Sequence, residues 1–175
     1  MTTPDPPSPL LDSPRPGPRP ATSGEGPHRQ LDQQASPALW GELVAFARTL
    51  EGVEEGHSQV SPADSRALFL TDLPVERDPK TSLAPGRRLE PVHLHGVDDT
   101  SVHLVLPAAR GARLTELGWA EPHGHAEHGT EWMVYGPRDR AELDAVLQLI
   151  QESLAFARGA AVDQPWGDPL PAAYR

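Results

Sequence analysis

From position 39 the apolar residues fall at helical spacing. Leu39, Trp40, Leu43, Val44, Ala47 and Leu50 recur three and four apart. Ser36 precedes them as an N-cap, Pro37 suits the first helical turn, and Gly52 is a terminator, so the pattern predicts an amphipathic helix with Trp40 on its core stripe. Ala67-Leu68-Phe69-Leu70-Thr71 is a continuous apolar run of strand length. Val92-His93-Leu94-His95 and Val102-His103-Leu104 alternate apolar and polar positions around Asp98-Asp99, which predicts a β-hairpin. Pro107 opens a helix over Ala108 to Leu117, stopped by Gly118. Glu131-Trp132-Met133-Val134-Tyr135 is a final strand. After Gly136-Pro137-Arg138, Asp139 and Glu142 stand at capping-box spacing. The stripe Leu143, Val146, Leu147, Ile150, Leu154 and Ala157 then predicts a long helix ending at Gly159.

The order helix, strand, loop, hairpin, helix, strand, helix favours a small antiparallel sheet with helices packed on one face, a two-layer α+β fold. The predicted domain spans residues 36–159. Residues 1–35 are read as a disordered Pro-rich tail, because proline removes backbone donors and this stretch offers little to bury. The loop from Asp72 to Gly86 is broken by Pro74, Pro79 and Pro85. Residues 160–175 form a weakly ordered C-terminal tail.

Composition narrows the partners. The 175 residues carry a net charge of −10 and no cysteine. An acidic chain without a Lys/Arg-rich run is not built for nucleic acid or for an anionic membrane surface. Disulfides, thiolate chemistry and cysteine-bound zinc are excluded. No secretory signal and no apolar run of spanning length is present, so the expectation is a cytoplasmic protein without a membrane association.

Candidate chemistry centres on histidine. Of eight histidines, seven lie between His57 and His128. His93 and His95, two apart on a strand, share a face. With a three-residue turn from Val97 to Asp99, His103 pairs with His93 on that face; with a two-residue turn it lies opposite Leu94 and points away. The sequence leaves both registers open. His93, His95 and His103 on one face would form a facial metal site. Carbonic anhydrases and many cupins use such ligand sets, but neither spacing fits this chain. The second group, Trp119 to His128, is expected in an exposed loop. There Glu121 and His123 suggest an acid–base pair, while His125 and His128 are read as solvated. His57 belongs to the loop after the first helix. No nucleophile elbow, phosphate-cradling loop or dinucleotide fingerprint occurs.

Four segments in order resemble the luciferase-domain family over about residues 38–158. They are His93-Leu94-His95, Ser101 to Pro107, Gly118-Trp119-Ala120-Glu121-Pro122-His123, and Met133 to Arg138 followed by an acidic helix. Ala120 departs from the family, which usually has glycine there. The resemblance implies a pocket built from His93, His95, His103, Glu121 and His123 as catalytic groups. Trp119, Tyr135 and Arg138 would bind substrate at its edge. The fungal luciferase oxidises a hydroxylated hispidin-type pyrone with oxygen and no separate organic cofactor. By implication this chain is an oxidoreductase acting on an aromatic or enolic small molecule without a cofactor, and light emission is not expected. Two other readings stand beside it. One is a metal-dependent enzyme with a divalent transition metal on His93, His95 and His103. The other is a non-catalytic module that binds a small molecule or a partner protein.

Overall fold

The computed structural model describes residues 9–75, 77–124 and 126–160. Six strands form one antiparallel sheet: β1 (Val53–His57), β2 (Arg66–Leu70), β3 (Val92–Leu94), β4 (Val102–Val105), β5 (Ala120–Pro122) and β6 (Glu131–Val134). Their spatial order is β1-β2-β3-β4-β6-β5. The helices are α1 (Pro37–Ala47), α2 (Ala108–Glu116) and α3 (Arg140–Ala157). The α+β expectation is met. Among the described residues no helix is long and apolar enough to cross a membrane.

Strand alternation splits the sheet into two chemically different faces. Leu68, Leu70, Val92, Leu94, Val102, Leu104, Trp132 and Val134 share one face and join the main core. Onto it pack Trp40, Leu43 and Phe46 of α1 and Leu143, Val146, Leu147, Ile150 and Leu154 of α3. Each fully buried leucine or isoleucine there contributes about 1.5–3 kcal/mol. The caps follow the sequence: Ser36 Oγ accepts from Leu39 N, and Asp139 Oδ1 accepts from Glu142 N at 2.9 Å. Helix α2 approaches this face at Gly111, where an added Cβ would lie 1.9 Å from the Trp132 ring. All three helices therefore cover the same side.

Both strands that apolar patterning does not show, β1 and β5, are the edges of the sheet. Edge strands are commonly short and charged and tolerate proline on their open side. Glu54 and Glu55 in β1 and Pro122 in β5 fit that account. His57 is accordingly the last residue of β1 rather than part of a loop, and Glu121 is in β5 rather than in an exposed loop.

The tail expected over residues 1–35 is narrowed. Residues 1–8 lie outside the described residues, but residues 9–35 run along the domain. Leu11, in a 3-10 turn (Pro9–Asp12), is buried in the main core. Arg15 N donates to Leu117 O at 2.8 Å, and its side chain pairs with Glu142. Thr22 and Gln30 form an isolated antiparallel bridge. Gln30 N donates to Asp99 Oδ1, and Gln30 Oε1 accepts from Gly136 N. Proline-rich chain can be held this way because side chains and carbonyls supply the bonds that its missing N–H groups do not. Residues 161–175, most of the expected C-terminal tail, lie outside the described residues.

Candidate active site

The register left open by the sequence is settled by the β3–β4 ladder, in which His93 faces His103. The connection runs from His95 to Ser101, longer than either tight turn considered. Pairing continues across the sheet as Ala67, His93, His103, Met133 and Glu121. This row lies on the face opposite the helices, so two imidazoles and a carboxylate stand on one polar stripe. His95 follows on the same side. Its ring centroid is 5.3 Å from His93 and 4.4 Å from His103.

The hydrogen bonds fix which nitrogens carry protons. Glu90 Oε1 lies 3.1 Å from His93 Nδ1 and can only accept, so Nδ1 holds the proton and Nε2 the lone pair. His93 Nε2 lies 3.0 Å from His103 Nδ1, which therefore donates. That leaves the second lone pair on His103 Nε2. Likewise Asp99 Oδ2, 2.5 Å from His95 Nδ1, directs the lone pair to His95 Nε2. His95 Nε2 and His103 Nε2 are both buried and have no hydrogen-bond partner among the described residues.

Burial sets the charge states. Desolvation, reinforced by neighbouring imidazoles, pushes His103 well below its ordinary value, and desolvation also lowers His93 despite Glu90. Burial alone would raise Glu90, but hydrogen bonds from His93 and Ser58 outweigh it and leave its pKa lowered. Asp99 is lowered for the same reason, with His95 and Ser101 as donors. At neutral pH the site holds uncharged His93 and His103 beside two ionised carboxylates.

The sequence reading missed His28, the one histidine inside the Pro-rich segment. Its Nδ1 accepts from Gly124 N at 3.0 Å, and its Nε2 donates to Glu121 Oε1 at 2.6 Å. Its ring lies 5.4 Å from His123 and 5.9 Å from His103. Only the folding of residues 9–35 onto the sheet brings it there, so local pattern carries no signal for it. Glu90 and Asp99 did leave one: a carboxylate three residues before His93 and another four after His95.

A cavity of about 430 Å³ opens over this cluster. Its walls include His28, Arg29, Ser61, His95, Asp99, His103 and His123. His93 sits behind them, with its Nε2 2.8 Å from Ser61 Oγ. The expected residues thus divide. His95, His103 and His123 line the cavity, and His93 and Glu121 support it from behind. Tyr135 is buried and donates to Glu121 Oε2 at 2.7 Å, which makes it a prop for that carboxylate. Trp119 and Arg138 do not reach the cavity. Trp119 is buried in the main core and donates to Ser13 O. Arg138 binds Glu142, Pro16 O and Gln33. Both are drawn to the N-terminal segment, whose docking the sequence does not announce. His123 Nδ1 lies 3.9 Å from Glu131 Oε2 of β6, while the two oxygens of Glu121 accept from His28 and Tyr135.

Comparison with known proteins agrees with the motifs. Residues 88–153 match the family described as the luciferase domain. The chain is similar to the luciferase of Armillaria gallica, 29% identical over 161 residues, covering 82% of this chain and 60% of that protein. Similarity to the luciferase of Armillaria mellea is 30% over 162 residues with the same coverage. The luciferase of Neonothopanus nambi is 32% identical over 102 residues, 53% of this chain and 38% of that protein. The chain therefore spans about 60% of the length of the Armillaria luciferases it matches. No solved structure matches.

Proposed function

We propose that this chain, which carries a luciferase domain over residues 88–153, is an enzyme that oxidises an enolic or aromatic small molecule with dioxygen in the histidine-lined cavity. The observation that supports this reading most is the pair of buried, unpartnered nitrogens on His95 and His103. An unsatisfied buried polar group costs about 1–3 kcal/mol. Two on rings that line one cavity, otherwise held by carboxylates and neighbours, are suited to an ionisable oxygen of a ligand. The cavity volume of about 430 Å³ suits a small molecule.

In this account an enol entering the cavity gives its proton to the imidazole cluster. The resulting enolate is electron-rich at carbon and passes electrons to dioxygen. A carbon–oxygen bond forms, and the proton returns to the peroxide oxygen. Substrate plus dioxygen equals the hydroperoxide, so no reductant is consumed. Asp99 holds His95, and Glu90 acting through His93 holds His103, in the tautomers that leave their Nε2 lone pairs unpartnered. Arg29, at the cavity mouth with its Nε 3.7 Å from Asp99, takes the anion-holding role that Arg138 is not placed to play.

The test is oxygen uptake by the full chain with a panel of hydroxylated 2-pyrones and their O-methyl ethers. The expected result is uptake of one oxygen per free enol consumed and none with the ethers. Equal uptake with both, or none with any enol the protein is shown to bind, contradicts the reading.

A further inference from the structure

We infer that His93, His95 and His103 together form a binding site for one divalent transition-metal ion. Each ring offers one nitrogen, and these nitrogens lie within 4.8 Å of one another. The separation of His93 Nε2 from His103 Nδ1, 3.0 Å, is also the spacing of two neighbouring ligand nitrogens on an ion with metal–nitrogen bonds of about 2.1 Å. His93 Nε2 is moreover crowded: its single lone pair faces both His103 Nδ1 and Ser61 Oγ. An ion between the rings relieves that competition. His103 needs only a shift of its proton from Nδ1 to Nε2, and His95 already presents an unpartnered Nε2.

The carboxylates behind the rings support the same assignment. Glu90 on His93 and Asp99 on His95 are outer partners of the kind that orient metal-bound imidazoles. Glu90 is fully buried and Asp99 nearly so. The half-exposed Arg29 lies 3.7 Å from Asp99. Buried carboxylates are normally paired or stand beside a metal, and an ion on the three imidazoles would lie next to both.

The second histidine group, His28, His103 and His123, is less suited. Both ring nitrogens of His28 are already used, one by Gly124 N and one by Glu121. Three ligands on one side leave positions open toward the cavity, as in catalytic rather than structural sites. Within the function proposed above, which supplies the substrate class, the ion would hold the enol oxygen. His123, whose ring centroid lies 4.5 Å from His103, would be left to take the proton.

The experiment needs no substrate, so it stands or falls apart from the oxidation reading. The full chain is purified without a polyhistidine tag or chelator and its metal content measured. It is then stripped and titrated with Co²⁺, followed by visible absorbance and melting temperature. The expected results are close to one metal per chain, a saturating Co²⁺ band and a raised melting temperature. His95→Ala and His103→Ala should abolish the band, and His128→Ala should keep it. If the alanine variants fail to fold, Asp99→Asn supplies the test, with Co²⁺ affinity about 10–100-fold weaker. A stripped wild-type protein that binds Co²⁺ no better than His95→Ala or Asp99→Asn overturns the site, even if oxygen uptake is found.

Discussion

His28 Nε2 donates to Glu121 Oε1 at 2.6 Å, joining a proline-rich segment to the edge strand β5 across 93 positions of sequence. Through Tyr135 on the other oxygen of Glu121, that bond ties the cavity wall to the sheet. Residues 9–35 should therefore behave as part of the domain. Deleting residues 1–35 is expected to lower the melting temperature and to abolish ligand binding. Leu11→Ala alone should cost about 2–5 kcal/mol in chemical denaturation, because Leu11 is buried in the main core. A truncated chain as stable as the full one would show the segment to be dispensable.

The same segment explains what was legible in the sequence. The helices were, because α1 and α3 carry apolar stripes and side-chain caps and α2 is bracketed by Pro107 and Gly118. The central strands were, because they are apolar or alternate. The edge strands β1 and β5 were not, since Glu54, Glu55 and Pro122 mask their pattern, as edges require. The hairpin register was not, because a connection from His95 to Ser101 has no tight-turn signature. His93, His95, His103 and His123 could be named from sequence. His28 could not, since its place depends on tertiary docking of a chain whose composition resembles that of disorder. Trp119 and Arg138 were placed at a pocket edge by family resemblance, whereas Ser13 and Glu142 hold them elsewhere.

Arg138 and Arg29 should separate under kinetics. Arg138 binds Glu142 and the carbonyl of Pro16, so Arg138→Ala should reduce stability with little change in KM. Arg29 lines the cavity, so Arg29→Ala should raise KM for an anionic substrate while leaving the melting temperature within a few degrees. The reverse pattern in steady-state kinetics would restore the sequence-based placement of Arg138.

Glu142 should govern acid stability. Burial alone would raise its carboxyl, but hydrogen bonds from Arg138 and Arg15 outweigh it and hold the pKa below the ordinary 4.5. A carboxylate depressed in the folded state adds stability above its unfolded pKa, and that stability is lost as pH falls through the folded value. The midpoint of unfolding should therefore drop below about pH 4.5 in the wild type and drop less steeply in Glu142→Gln. Near pH 7 that variant should be destabilised by about 3 kcal/mol, because it leaves the buried Arg15 without its counter-ion. Equal acid slopes in the two proteins would remove Glu142 from this role.

Gly111 should tolerate no side chain. A Cβ there meets the Trp132 ring at 1.9 Å, between α2 and the sheet, where neither can yield without moving the other. Gly111→Ala should cost at least about 1–3 kcal/mol in urea unfolding. Gly124→Ala, whose nearest contact is 3.6 Å away, is the control expected to be close to neutral.

The central claim is that the imidazoles on the polar face of the sheet are the reactive groups. It is tested most directly by oxygen uptake with an enolic pyrone, comparing wild type with His95→Ala and His103→Ala after each variant is shown to be folded by circular dichroism. The account predicts that both variants lose at least about 100-fold in kcat/KM, the scale expected when a group acting on the substrate's ionising oxygen, directly or through a bound ion, is removed. Uptake at the wild-type rate in either folded variant would contradict it.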